Sequence, residues 1–240
     1  MPFDFTVPKP LLGTLFMVIL VLEVSKPSLS KWRAVCGSIP WARRIGVLAM
    51  VFMGSLAIVP FDEYLLRTIQ TVNFPGKQGL VQAGSLLGTK HGMWIVLYVG
   101  YFITYFGGMV RQRRIAFLAL LGSGLTGLTA HLVKFATMRA RPDQALGAYS
   151  FFNPFANVGS YGPFQSFPSG DVAVVSGAAG YLFLATKIPG AAWLFMLLPI
   201  VTALSRIDLN RHWPSDTLFS TGLGLVIGLC LRDYERAVSP

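Results

Sequence analysis

Apolar and polar positions in this chain fall into long blocks. Apolar runs lie at about 45–60, 92–110, 115–136 and 168–187, then from the Pro189-Gly190 turn to about 204, and at about 214–231. Several reach 17 to 20 residues, enough for a helix to cross a hydrocarbon core about 30 Å thick. Backbone facing lipid must satisfy its own hydrogen bonds, which selects helix for these runs. The pattern predicts an all-α fold: a polytopic membrane protein built as a six-transmembrane-helix bundle.

Residues 11–24 (LLGTLFMVILVLEV) are apolar but short for a span. No basic leader or small-residue cleavage site marks them as a signal peptide. They predict an extra N-terminal interfacial or re-entrant helix, with a short span as the alternative. Lys26, Lys31, Arg33, Arg43 and Arg44, broken by Pro27 and Pro40, then read as a basic cytoplasmic linker. The expected division is 1–43, interfacial helix and linker, and 44–240, the six-helix core. Residues 61–90, with Pro75-Gly76, Gly79, Gly84 and Gly88, predict a loop carrying a short amphipathic helix, and 142–167 predict a second loop. Gly122, Gly124, Thr126 and Gly127 in one span, and Ser220, Gly224 and Gly228 in another, supply small faces for close helix approach in lipid.

Composition agrees with the pattern. The chain is 53% hydrophobic and 12% charged, against about 25% charged in soluble domains. A net charge of +10 raises the question of nucleic acid. The cations instead sit at the ends of apolar runs, which fits membrane orientation and anionic head groups and argues against a nucleic-acid partner. Placing Arg43/Arg44, Arg111/Arg113/Arg114, Lys187 and Arg232/Arg236 on the cytoplasmic side satisfies the positive-inside rule at every crossing. Arg141, 168–171 and 206–216 then share the opposite side. The expected location is the cytoplasmic (inner) membrane, with these residues facing the periplasm or exterior. Cys36 and Cys230 form no metal or redox spacing and are expected to be reduced thiols on the cytoplasmic side.

Those three stretches carry the candidate chemistry. Lys134 and Arg141, seven apart, are expected on one helical stripe that Pro142 ends. With Arg206 they offer three cations to a doubly charged anion, arginine as a fork and lysine as a point charge. Taken singly they would read as snorkelling side chains. Pro168-Ser169-Gly170 is expected to open a helix with proline in its first turn. The free N–H groups there make an anion site, and Gly170 lets a ligand approach the backbone. Asp216, four residues after His212, can fix the imidazole tautomer and leave the other nitrogen to attack phosphorus. Water could then hydrolyse the phosphohistidine. Ionisable residues gathered at a membrane edge are costly and point to function.

Lys134-x6-Arg141-Pro142, Pro168-Ser169-Gly170 and Ser205-Arg206-x5-His212-x3-Asp216 resemble the three-part signature of the type 2 phosphatidic acid phosphatase superfamily. The resemblance implies that Lys134, Arg141 and Arg206 hold a phosphate, with Ser169 and Gly170 as further donors. It implies His212 as nucleophile and Asp216 as its orienting partner. It also implies lipid phosphates or diphosphates as substrates, with no metal and no cofactor.

One position departs from that signature: Asp171 stands where the family usually has the histidine that protonates the leaving alcohol. Aspartate is the poorer proton donor at neutral pH. Three accounts are open. Asp171 serves a good leaving group such as a diphosphate, it takes a proton once a phosphate dianion sits beside it, or His131, one turn before Lys134, donates in its place.

The aromatic residues from Tyr149 to Phe167 read as an interfacial belt, with a lid over the lipid as the alternative. The leading function is a membrane lipid phosphatase. Candidate substrates are undecaprenyl diphosphate or monophosphate, phosphatidylglycerol phosphate, phosphatidic acid and lipid A phosphates. A lipid-to-lipid phosphotransferase and a non-catalytic lipid-phosphate binder or transporter are the alternatives.

Overall fold

The computed structural model describes residues 9–24, 40–89, 91–152 and 162–238. Every regular element among them is helical. The helices are α1 (Lys9–Val24), α2 (Trp41–Ile58), α3 (Asp62–Thr71), α4 (Lys77–Leu87), α5 (Gly92–Phe106), α6 (Val110–Thr137), α7 (Gly170–Ala185), α8 (Pro189–Asp208) and α9 (Pro214–Val238). Each of the six apolar runs is helical, as α2 and α5 to α9. Four stretches are long and apolar enough to cross a membrane, Trp41–Thr71, Val110–Gln144, Gly190–Asp208 and Pro214–Ala237. Helices α5 and α7 are shorter, at 15 and 16 residues.

Helix α7 lies at the centre, packed on α6, α8 and α9. The expected small faces make this possible. A Cβ on Gly177 would stand 2.3 Å from the Gly122 carbonyl oxygen, and one on Gly224 would stand 2.4 Å from the Ser176 backbone. Lipid supplies no hydrophobic drive between helices, so close backbone contact is what holds them.

The stretch 61–90 differs from the expected loop: most of it is helix, as α3 and α4. Asp62 and Glu63 occupy the first turn of α3, where carboxylates suit the helix dipole. Gly84 is not a breaker. A Cβ there would stand 2.4 Å from the Val201 carbonyl oxygen, so this glycine is where α4 crosses α8. The packing outweighs a propensity cost of about 1 kcal/mol.

Helix α1 runs lengthwise along α5 and α6. The Tyr98 hydroxyl donates to the Leu12 carbonyl at 2.5 Å, and Phe16 meets Trp94 edge-on at 5.7 Å. Tyr101 donates to Glu23 at 2.7 Å, and Glu23 pairs with Arg113 at 3.2 Å. Cys36 and most of the expected linker lie outside the described residues, and Cys230 is a free thiol.

The two ends of the bundle differ in chemistry. Arg44 pairs with Asp233, and Arg114 donates to the Glu235 carbonyl at 3.2 Å, which gathers the basic clusters at one end. Lys134, the start of α7, Arg206 and His212 occupy the other, with α3 and α4 beside them.

Candidate active site

Helix α6 stops four residues before Arg141, so the expected shared stripe does not exist. Met138 caps it in the left-handed region (φ 42). Arg141 is extended (φ −74, ψ 157), as a residue before proline must be. A returning loop brings it back: Ala140 N–H donates to Ser150 O and Arg141 N–H to Pro163 O, both at 2.8 Å. Lys134 remains in the last turn of α6, buried.

Three successive carbonyls organise the site. Gln165 O accepts from Lys134 Nζ at 2.8 Å, Ser166 O accepts from His212 Nδ1 at 2.8 Å, and Phe167 O accepts from the Thr137 hydroxyl at 2.7 Å. A carbonyl can only accept, so Nδ1 carries the proton and Nε2 keeps the lone pair. Asp216 Oδ2 is farther from Nδ1, at 3.5 Å. Its carboxylate accepts from Arg139 at 2.5 Å, the Ser166 hydroxyl at 2.5 Å and Trp213 N–H at 2.9 Å. The Ser166 carbonyl therefore sets the tautomer, with the Asp216 charge standing behind it. Burial pulls the pKa of His212 below the usual histidine value; Asp216 opposes this, and the charges of Lys134 and Arg141 add to it. A value held below 6.5 favours the neutral ring at pH 7, the form that a nucleophilic role would require.

Helix α7 begins at Gly170 with Ser169 as its N-cap, so Pro168 lies just outside the helix and not in its first turn. An N-cap hydroxyl ordinarily accepts from the first turn. Ser169 Oγ is buried and makes no hydrogen bond. The Ser220 hydroxyl bridges the carbonyls of Ser169 and Asp216, at 2.9 and 2.8 Å, fixing the start of α7 against that of α9. At Gly170 a Cβ would stand 3.6 Å from Lys134 Cε.

Arg206, in the last turn of α8, donates to the Ser85 hydroxyl and to Ser205 Oγ at 3.1 Å. Its Nη1 lies 3.5 Å from Asp171 Oδ2, which the Thr89 hydroxyl also reaches, at 3.4 Å. The Nε atoms of Arg141 and Arg206 are buried without partners. Arg141 feels the charges of Asp171 and Asp216, and Arg206 those of Asp171 and Arg141. Lys134, Arg141, Asp171, Arg206, His212 and Asp216 thus form one electrostatic cluster.

Two members of the site were not singled out from sequence. Arg139 is fully buried and donates to Asp62 at 2.6 Å, Asp216 at 2.5 Å, the Ser215 hydroxyl at 2.8 Å and the Ala148 carbonyl. Phe151 covers its guanidinium at 4.6 Å. Asp62 in turn accepts from Ser215 N–H at 2.8 Å. Of the aromatic loop, Phe155 and Tyr161 lie outside the described residues. Phe167 is buried against Phe219 at 5.0 Å, while Tyr149 and Phe152 are exposed.

The PAP2 superfamily model matches residues 114–238, just over half of the chain. The chain belongs to the PAP2 superfamily. It is similar to the lipid A 1-phosphatase of Rhizobium johnstonii, at 29% identity over 68% of this chain and 58% of that protein. For the lipid A 1-phosphatase of Rhizobium etli the values are 34%, 41% and 41%. The aligned part thus spans roughly half the length of these two relatives. It is also similar to the decaprenylphosphoryl-5-phosphoribose phosphatase of Mycobacterium tuberculosis, at 30% identity over 63% of this chain and 82% of that one. Two crystal structures share the fold at 18% identity. The PAP2-type phosphatidylglycerolphosphate phosphatase of Bacillus subtilis has TM-score 0.61 and covers 82% of this chain and 97% of its own. LpxE of Aquifex aeolicus has TM-score 0.51, with 72% and 94% covered. This PAP2 protein is a multi-pass membrane protein.

Beside the PAP2 motifs lies an apolar cavity of about 660 Å³. Its walls include Gly13 and Phe16 of α1, Trp94 of α5, and Gly124 and Leu128 of α6, and it ends at Gly170 and Asp171. Helices α1 and α5 precede the residues matched to the PAP2 model. His131, edge-on to Phe135 at 4.8 Å, lines this cavity together with Asp171.

Proposed function

We propose that this chain is a membrane lipid phosphatase working through a phosphohistidine on His212, at the outer face of the cytoplasmic membrane. What carries the reading is a set of buried donors without partners, Ser169 Oγ and the Nε atoms of Arg141 and Arg206, in the same charge cluster as an imidazole whose Nδ1 proton is already placed. Lys134, Arg141 and Arg206 neutralise the phosphate, and the first N–H groups of α7 complete the cradle.

Nε2 attacks phosphorus; the P–N bond forms as the bond to the leaving oxygen breaks. The Ser166 carbonyl keeps Nδ1–H in place, and Asp216 offsets the positive charge that the ring acquires. Asp171 stands on the leaving-group side, where the cavity meets the cluster. Water then attacks phosphorus, the P–N bond breaks, and phosphate leaves with the histidine restored. Three fixed cations supply the charge neutralisation in this scheme, so turnover should survive EDTA.

The apolar cavity ending at Gly170 and Asp171 supports a lipid tail beside the phosphate. The relatives named for lipid A and decaprenyl substrates support lipid A-type and polyprenyl phosphates as the first to test. Incubation with 32P-labelled lipid phosphate and alkaline quench should leave an acid-labile label on the parent and none on His212→Gln. A parent protein that releases phosphate yet never carries label, or a His212→Gln protein that turns over normally, would sink the proposal.

A further inference from the structure

The end of the bundle away from His212 holds a second concave site. A cavity of about 630 Å³ is lined by Arg111 and Arg114 at the start of α6, Lys187 in the α7–α8 turn, and Arg232, Glu235 and Arg236 near the end of α9. Arg111 and Lys134 are 23 residues apart on one helix, about 35 Å at the α-helical rise. No residue of the catalytic cluster lines this cavity.

Five cations here face one carboxylate, and that carboxylate is already paired: Glu235 accepts from Arg232. The nearby Asp233 is held by Arg44 through two hydrogen bonds. Among the described residues no ion pair reaches Arg111, Lys187 or Arg236. Arg232 Nε is buried and makes no hydrogen bond. Arg114 and Arg232 are half-buried in its wall, and Arg111, Lys187 and Arg236 are exposed at its rim. Five cations lining one cavity repel each other, and an anion seated among them relieves that repulsion.

We propose that this cavity is a binding site for paired phosphates, carried by a two-phosphate lipid head group or by a free polyphosphate. Arginine forks and a lysine point charge around a space of this size suit two phosphate groups better than one. The position at the helix ends suits a head group whose tails stay in the bilayer. The site is separate from phosphate hydrolysis and neither requires nor implies it.

The test compares the parent, an Arg111→Gln/Lys187→Gln/Arg236→Gln variant and an Arg206→Gln variant, each purified whole in detergent. Melting temperature and native mass spectra are recorded with cardiolipin, with phosphatidylcholine and with inorganic pyrophosphate. Cardiolipin is expected to raise the melting temperature and persist as an adduct on the parent and on Arg206→Gln. The triple variant should lose both effects while keeping its lipid phosphate turnover. If pyrophosphate alone produces the shift, and the triple variant loses it, the site stands and its ligand is soluble. A triple variant that responds like the parent, or a parent that responds to neither probe, overturns the site. Because Arg206→Gln reports only on the catalytic end, failure there leaves this result readable.

Discussion

Arg139 Nη1 donates to Asp216 Oδ1 at 2.5 Å, with both side chains fully buried. The second terminal nitrogen, Nη2, holds Asp62 at 2.6 Å, so one arginine ties α3 to the first turn of α9 behind His212. Removing one member of a buried ion pair leaves an uncompensated charge and costs about 3–5 kcal/mol. Arg139→Met should therefore lower the melting temperature and the yield of folded protein. Adding Asp62→Asn to Arg139→Met should recover part of that stability, because one stranded charge is removed. Paired melting curves in detergent read the outcome; an Arg139→Met protein as stable as the parent contradicts the network.

Burial lowers the pKa of His212, and the sign of the consequence follows directly. A depressed value keeps the ring neutral at pH values where a free imidazole, near 6.5, is half charged. The acid limb of kcat/KM should lie below pH 6.5, once the ionisation of the substrate phosphate has been titrated separately and factored out. Activity is retained above the depressed value and lost as pH falls through it. An enzyme limb at or above pH 7 contradicts a neutral buried nucleophile.

Asp171 pairs with Arg206 at 3.5 Å and lines the apolar cavity, which in the proposed scheme is the side from which the leaving group departs. An alkoxide needs a proton as it leaves, and a phosphate leaving group does not. Asp171→Asn should slow hydrolysis of lipid monophosphates by roughly 10²-fold or more and that of lipid diphosphates far less. Asp171→His should restore the monophosphate rate. Equal effects on both substrate types would remove Asp171 from proton transfer, and His131→Ala then tests the remaining donor.

Gly13 lines the apolar cavity, and a Cβ built on it meets nothing within 4 Å. Gly13→Phe therefore adds a ring at the cavity wall with no clash at its own Cβ. KM for a long-tailed lipid phosphate should rise about tenfold, the effect of roughly 1.4 kcal/mol of lost tail burial. KM for a short-chain or water-soluble phosphate should not move. A uniform loss with both substrates would mean that the tail lies elsewhere.

Much of this molecule was legible in its residues. The six apolar runs became six helices because lipid leaves the backbone few alternatives. Lys134, Arg141, Ser169, Arg206 and His212 stand out as candidates because charge and hydroxyl groups at the ends of apolar runs are conspicuous in an apolar chain. Gly122, Gly224 and Gly228 announced close packing by their size alone.

Other features depended on what lies across space. Gly84 reads in the sequence as a loop residue, yet it is the contact that lets α4 cross α8, and only the neighbour's position distinguishes these roles. The carbonyls of Gln165, Ser166 and Phe167 hold Lys134, His212 and Thr137, but every residue has a carbonyl, so no residue type marks them. Arg139 meets Asp62 and Asp216, each 77 positions away. Side-chain type and local spacing decided which groups are candidates to bind and attack a phosphate. Only the folded chain decided which backbone oxygen holds the imidazole and which buried charges balance, because those partners are chosen by proximity and not by order along the chain.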